Sequence, residues 1–209
     1  NLKAQLGLVE TFRYGSELLD ISKLPISQHT YSYTHSMFKE GDACVLYSLI
    51  RSRKPKRVIE IGCGASSLLI QHALDYNKRD SGDYNCKHTC VEPYENEWLS
   101  QLEVRFIKKK VEEIDISFFK MLDENDILFI DSSHIIRPNG DVLFEYLEIL
   151  PTLNPGVLVH IHDIFTPNNY PKEWLENGVN FWNEQYLLES FLSCNDNYEV
   201  FLSSNYLYH

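Results

Sequence analysis

The chain has 209 residues, 44% of them hydrophobic and 23% charged, and a formal net charge of −11. That length builds one domain with a full core and leaves little room for a second. The negative balance argues against a nucleic-acid substrate, because phosphates attract Lys and Arg. The longest apolar runs, such as Val157-Leu158-Val159, are far too short to cross a membrane.

The opening residues Asn1-Leu2-Lys3-Ala4 lack a basic patch followed by an apolar stretch, so no signal peptide is expected. The missing initial Met leaves open a domain excised from a larger protein. Residues 1–41 are mixed, with aromatic side chains at Phe12, Tyr14, Tyr31, Tyr33 and Phe38, and read as a helical or capping segment. The core is expected over 42–209. Ala43, Leu46, Tyr47 and Ile50 recur at helical spacing and predict a helix over 42–51. The basic run Arg51-Ser52-Arg53-Lys54-Pro55-Lys56-Arg57 follows and reads as a solvated connection.

After Pro55 the period changes. Arg57-Val58-Ile59-Glu60-Ile61 is a short β-branched run, hence a buried strand, and it ends in Gly62-Cys63-Gly64-Ala65-Ser66. A helix is predicted over 67–76, a polar loop over 77–87, a strand over 88–92, a helix over 95–102 and a strand over 104–107. Further strands are expected at 126–131 and 156–162, separated by a helix over 141–150 that Pro151 closes. A helix over 181–192 precedes two short segments, 198–202 and 206–208, suited to a terminal hairpin. Alternating strands and helices imply right-handed crossovers and a mostly parallel sheet covered on both faces.

Five cysteines are scattered, odd in number and without CxxC spacing. Cys86-Lys87-His88-Thr89-Cys90 has the residue types of a metal knuckle but no second ligand pair. The pattern suits a reducing compartment, so a cytoplasmic location is expected.

In a parallel sheet, ligands bind at the carboxyl ends of the strands. Those ends carry Glu60 with its glycines, Glu92, Asp131 with His134, and His162 with Asp163. Gly62 and Gly64 let backbone approach a ligand, and the following helix start offers free N–H groups to an anion. A dinucleotide would bring its pyrophosphate beside Glu60, where the charges repel. An S-adenosylmethionine carboxylate could instead take the helix end while Glu60 attracts the ammonium. Two opposite charges about 4 Å apart at an effective dielectric near 20 gain about 4 kcal/mol before desolvation. The third fingerprint glycine would fall at Ser67, another count against NAD. Glu92 is placed to accept hydrogen bonds from a ribose diol.

Val58-Ile59-Glu60-Ile61-Gly62-Cys63-Gly64, Glu92 and Asp131 resemble class I S-adenosylmethionine-dependent methyltransferases, over about residue 42 to the end. With Asp131-Ser132-Ser133-His134 and His160-Ile161-His162-Asp163, the chain is similar to the subgroup called methyltransferase domain 24. Ser66 stands where that family commonly has a third glycine. The resemblance implies a Rossmann-like, mostly parallel α/β sheet of seven strands, helices on both faces and a C-terminal antiparallel hairpin, within a single domain over 1–209. It implies S-adenosylmethionine bound by Glu60, Gly62, Gly64, Ser66, Glu92 and Asp131.

The spacing at the fourth and fifth strands is similar to catechol O-methyltransferases, where an Asp and an Asp-Asn pair bind a metal and a Lys acts as base. Here His134 stands in the place of the Lys and His162-Asp163 in that of Asp-Asn. Imidazole shifts the preference from Mg²⁺ towards Fe, Mn or Zn. His160 shares the strand face of His162 but reads as a core residue. Metal-dependent methyltransferase domains of polyketide assembly lines share Asp-Ser-Ser-His, His-x-His-Asp and a later Asn-Glu-Gln, here Asn183-Glu184-Gln185. That resemblance implies His134, His162 and Gln185 as divalent-metal ligands, with Asp131 and Asp163, the expected catalytic groups, nearby as a further ligand, a support behind the ligands or a base.

The expected function is methyl transfer to a small-molecule or carrier-bound acceptor, assisted by a divalent metal. No nucleic-acid or membrane partner is expected, and the oligomeric state is not readable. The alternatives are an idle S-adenosylmethionine-fold interaction module and a nucleotide-dependent oxidoreductase. The aromatic residues Tyr170, Trp174 and Trp182 lie in a segment able to cap the pocket.

Overall fold

A computed structural model describes residues 1–24, 31–32, 38–94, 97–176, 178 and 180–208. Tyr33 and the first two residues of the helix expected over 95–102 lie outside the described residues. The central sheet contains β1 (Arg57–Ile61), β2 (Lys87–Val91), β3 (Arg105–Ile107), β4 (Ile127–Ile130) and β5 (Leu158–Ile161). Its order is β3-β2-β1-β4-β5 and every pairing is parallel.

Strand alternation divides the core in two. Val58, Ile127 and Phe129 face one side, against α3 (Glu40–Arg53) and α4 (Ala65–Asp80). Ile59, Ile61, Val91, Leu128 and Ile130 face the other, against Val142, Tyr146, Ile149 and the partly buried Leu187, Leu188 and Phe191. Val142 belongs to α5 (Asp141–Phe144), which continues as a wider π turn over Glu145–Ile149 and a 3-10 turn over Leu150–Thr152. The expected helix over 141–150 is therefore present but irregular, because Pro151 cannot supply the amide a regular last turn needs.

The N-terminal segment forms α1 (Leu2–Glu10) and α2 (Gly15–Ser22). Leu18 and Ile21 of α2 join the first core half. Arg51 on α3 is buried, and it binds Glu17 at 2.8 Å, Asp80 at 2.5 Å and the Asn77 amide. Thus the basic run begins inside the protein, not on a solvated connection. The helix expected over 95–102 is a 3-10 segment at Glu97–Gln101.

Two expectations are corrected. The sheet has five strands among the described residues, not seven. Among the described residues there is no closing antiparallel hairpin: residues 198–203 are irregular and α8 (Ser204–Tyr208) takes the place of the last strand. The Tyr198 hydroxyl donates to the Leu150 carbonyl at 2.5 Å, and the Ser203 amide donates to Gln5 Oε1 at 2.9 Å. These tertiary anchors outweigh a strand preference that is only as strong as its surroundings. Between this segment and the outer edge of β5 lies a cleft of about 1180 Å³. Among the described residues, no helix is long and apolar enough to cross a membrane.

The remaining elements, α6 (Lys172–Glu176) and α7 (Glu184–Leu192), follow β5. Arg51→Met should cost about 1–3 kcal/mol, below the full value for a buried pair because Glu17 and Asp80 retain some solvent. Urea denaturation of the two proteins measures it; unchanged stability would show that the Arg51 cluster does not hold α2 to the core.

Candidate active site at the carboxyl edge of the sheet

Gly62 opens the turn after β1 with φ +80°. A Cβ there would overlap the Asp131 carbonyl oxygen, so only glycine lets β1 and β4 end side by side. The Gly62 amide donates to the Val91 carbonyl at 3.0 Å, and the Asp131 amide donates to the Ile61 carbonyl at 2.9 Å. Gly64 faces open space and caps α4. A ligand can therefore reach the first amides of α4, where the helix favours negative charge. Across the turn, Glu92 accepts the Cys63 amide at 3.4 Å and the Tyr94 amide at 2.9 Å while staying partly exposed.

Glu60 and Ser66 lie differently from their expected role. Glu60 is 0% exposed, and its carboxylate takes the Ser66 hydroxyl at 2.6 Å and His88 Nε2 at 3.0 Å. Strand alternation sends Glu60 to the α3/α4 face, beneath the turn instead of above it. Carboxylate and hydroxyl are both buried and bonded to each other, and together they hold the helix start from below.

The second half of the site gathers at the ends of β4 and β5. His134 Nε2 lies 3.2 Å from Asp131 and 3.6 Å from Asp163. His162 Nδ1 lies 3.4 Å from Asp131 and 3.3 Å from Asp163. On its other side, His162 Nε2 is 3.5 Å from Asp42, a residue of α3 that sequence reasoning missed. His162 Nδ1 is buried but makes no properly directed hydrogen bond. His134 and Asp163 both have left-handed backbones, φ 59° and 55°. Such conformations cost about 1–3 kcal/mol each for non-glycine residues and persist only where the surroundings enforce them. Here the Asn183 amide holds the His134 carbonyl at 3.0 Å.

Glu184 fixes the His134 ring. Its carboxylate accepts the Tyr146 hydroxyl at 2.8 Å and meets His134 Nδ1 at 2.8 Å. A carboxylate only accepts, so Nδ1 carries the proton and a neutral ring turns its Nε2 lone pair towards Asp131 and Asp163. The Trp182 ring packs on the same imidazole, with centroids 4.3 Å apart.

Charge dominates this corner. Burial opposes protonation of His134 and His162, but the surrounding carboxylates outweigh it. Asp131 and Glu184 push His134 up to about 10, and Asp131, Asp163 and Asp42 push His162 up to about 12. Burial would raise Asp131; the two imidazoles instead hold it well below the usual carboxylate range. His160, packed on Phe129 at 4.9 Å, is pushed down to about 4 by burial and by His162, as suits a neutral core residue. A site that draws protons onto two buried imidazoles has the charge to hold a cation in their place.

Gln185 does not join this group. Its carbonyl accepts the Phe165 amide at 3.1 Å and its amino group donates to the Asn168 carbonyl at 3.0 Å. Helical rotation turns Gln185 to the loop after β5 and brings Glu184, its neighbour, to His134. Asp131, His162 and Asp163 offer ligand atoms within 4.8 Å of one another, and His134 reaches both aspartates. The cleft along β5 runs up to Asp42, His162 and Asp163. Tyr170, Trp174 and Trp182 pack together, with ring centroids 5.0 and 6.3 Å apart, and meet the cluster through Trp182 on His134; none of them lines the cleft.

Residues 59–164, half of the chain, match the family model described as methyltransferase domain. The chain belongs to this methyltransferase-domain family. An uncharacterized protein of Archaeoglobus fulgidus is 30% identical over 136 residues, which is 61% of this chain and 59% of that protein. The match thus spans less than two thirds of that relative's length. Among solved structures, SAH-bound Podospora anserina methyltransferase PaMTH1 aligns with 91% of this chain and 77% of its own, at 17% identity and a TM-score of 0.45.

For this methyltransferase domain the glycine turn generates a direct test. Gly62→Ala combines an overlap with backbone and a strained φ, so it should destabilise the protein by several kcal/mol or prevent folding. Gly64→Ala has open space and should fold with stability within about 1 kcal/mol of the parent. Thermal melts of both variants check the contrast, and a Gly62→Ala protein of parental stability would contradict the close approach.

Proposed function

We propose that the chain catalyses methyl transfer from S-adenosylmethionine to a small-molecule or carrier-bound acceptor, with a divalent metal at Asp131, His134, His162 and Asp163. The observation that carries this reading is the position of Asp131. Its backbone abuts Gly62 of the ligand-facing turn, while its carboxylate meets His134 and His162. A donor held at the turn and an acceptor held at the cluster therefore meet at one residue.

The α4 start takes the cofactor carboxylate, Glu92 the ribose diol, and the partly exposed Asp131 faces the methionine ammonium. Glu60 and Ser66 act indirectly, by shaping the turn. Transfer of the methyl group is an in-line displacement, in which the protein mainly positions the two reactants. The cleft along β5 admits the acceptor to Asp163, which accepts its proton at a carboxylate oxygen.

Two imidazoles and two carboxylates suit Zn, Mn or Fe better than Mg. The undirected, buried His162 Nδ1 and the oriented His134 Nε2 fit such an ion. When bound, a divalent cation would lower the pKa of an acceptor oxygen or stabilise an enolate. Glu184 supports the group by orienting His134, the role carboxylates commonly play behind metal-ligating imidazoles.

Two experiments test this reading. Titration calorimetry should show S-adenosylmethionine binding that Glu92→Ala weakens by about 1.5 kcal/mol, the lower end for a charge-assisted hydrogen bond at a part-exposed site. A folded Glu92→Ala variant with parental affinity would remove Glu92 from the cofactor site. Elemental analysis of chelator-free preparations should find a divalent metal that His162→Ala loses, and Glu184→Ala should lower metal affinity about 10–100-fold. Full activity in EDTA on any acceptor would sink the metal assignment and leave the cofactor assignment standing.

A further inference from the structure

A second group of donor atoms lies beneath the glycine turn, separate from the Asp131 group. Glu60 Oε2, His88 Nε2 and Cys90 Sγ stand 3.0, 3.5 and 3.6 Å apart, pair by pair. All are buried, with Glu60 and Cys90 at 0% exposure. The parallel register sets Glu60 opposite Cys90 and Val58 opposite His88, so strand alternation delivers all three side chains to one face. The Cys63 thiol, in the turn itself, points instead to the Val91 carbonyl at 3.9 Å.

The distances match a tetrahedral ion. Zinc bonds of about 2.3 Å to sulfur and 2.0–2.1 Å to nitrogen or oxygen separate the ligand atoms by roughly 3.3–3.6 Å. Both sulfur separations fall at that value, and the Glu60–His88 separation is a few tenths shorter. The donor chemistry agrees: thiolate with imidazole and carboxylate selects zinc-class ions over magnesium. Ser66 donates to the other Glu60 oxygen at 2.6 Å, which orients the carboxylate as a supporting residue does behind a metal ligand. The Cys86-x-His88-x-Cys90 spacing acquires its missing partner from the neighbouring strand. Cys86 itself belongs to a different environment, packed against the first core half with Tyr84.

We propose that Glu60, His88 and Cys90 bind a zinc-class divalent cation beneath the glycine turn, at a site separate from the Asp131 group. The ion ties β1 to β2 and, through the Ser66 hydroxyl on Glu60, steadies the start of α4. The proposal does not rest on the methyl-transfer reading. Its competitor is a cation-free arrangement in which His88 carries a proton and pairs with Glu60 as a buried ion pair.

Cobalt separates the two, because only this group contains sulfur and the Asp131 group contains none. The full chain is stripped with chelator, its thiols kept reduced, and titrated with Co²⁺. Wild-type protein should develop thiolate-to-cobalt charge-transfer absorption that saturates with one ion and is displaced by added Zn²⁺. His162→Ala, which removes a donor only from the other group, should keep the full band, and Cys90→Ser should lose it. Absence of the band from wild-type protein in excess Co²⁺ would overturn the site without recourse to any variant. So would an undiminished band in Cys90→Ser.

Discussion

The carbonyl of Asp131 passes so close to Gly62 that no side chain can stand between them. This contact joins the ends of the two central strands, and both halves of the candidate site hang from it. On one side, the turn it permits aims the start of α4 at open space. On the other, it delivers the Asp131 carboxylate to His134 and His162. Ladder bonds from Asp131 to Ile61 and from His162 to Ile130, both 2.9 Å, extend the sheet one residue beyond each strand. The candidate site residues are thereby fixed to the central sheet, as precise positioning requires.

Charge is the second organising force. Asp42, Asp131, Asp163 and Glu184 surround two buried imidazoles, an arrangement that protons or a metal ion must balance. The left-handed backbones of His134 and Asp163 indicate that the protein accepts local strain to aim these side chains inward. Glu184 and Tyr146 come from the opposite side of the sheet edge and lock the His134 ring. The cluster is thus assembled from α3, the ends of β4 and β5, and the first turn of α7.

Beneath the turn, a second buried polar group joins Glu60, Ser66, His88 and Cys90. Its position explains why the turn can keep its shape with only two glycines. Glu60 grips Ser66 from within, so the helix start is held by a side chain that faces away from the ligand side. The two polar groups lie on either side of the same backbone, one at the carboxyl edge of the sheet and one towards the core.

Periodicity in the chain determined the alternating elements, the parallel sheet and the edge on which the ionisable residues gather, because strand and helix repeats are local properties. The placing of Glu92, Asp131, His134, His162 and Asp163 at the sheet's carboxyl edge was legible for the same reason: each lies within four residues of a strand end. Tertiary structure alone decided which side chains turn outward and which meet. Period-two alternation buried Glu60, a fact that depends on which sheet face receives α3 and α4. A helical step of one residue exchanged Gln185 for Glu184 at His134, and spacing along the chain cannot fix a helix's rotation against its neighbours. Asp42 is separated from His162 by most of the chain, and only packing of α3 across the sheet brings them together. The C-terminal segment follows the same rule. Its Tyr198 and Ser203 find partners at Leu150 and Gln5, and those contacts, not its local strand preference, set its path.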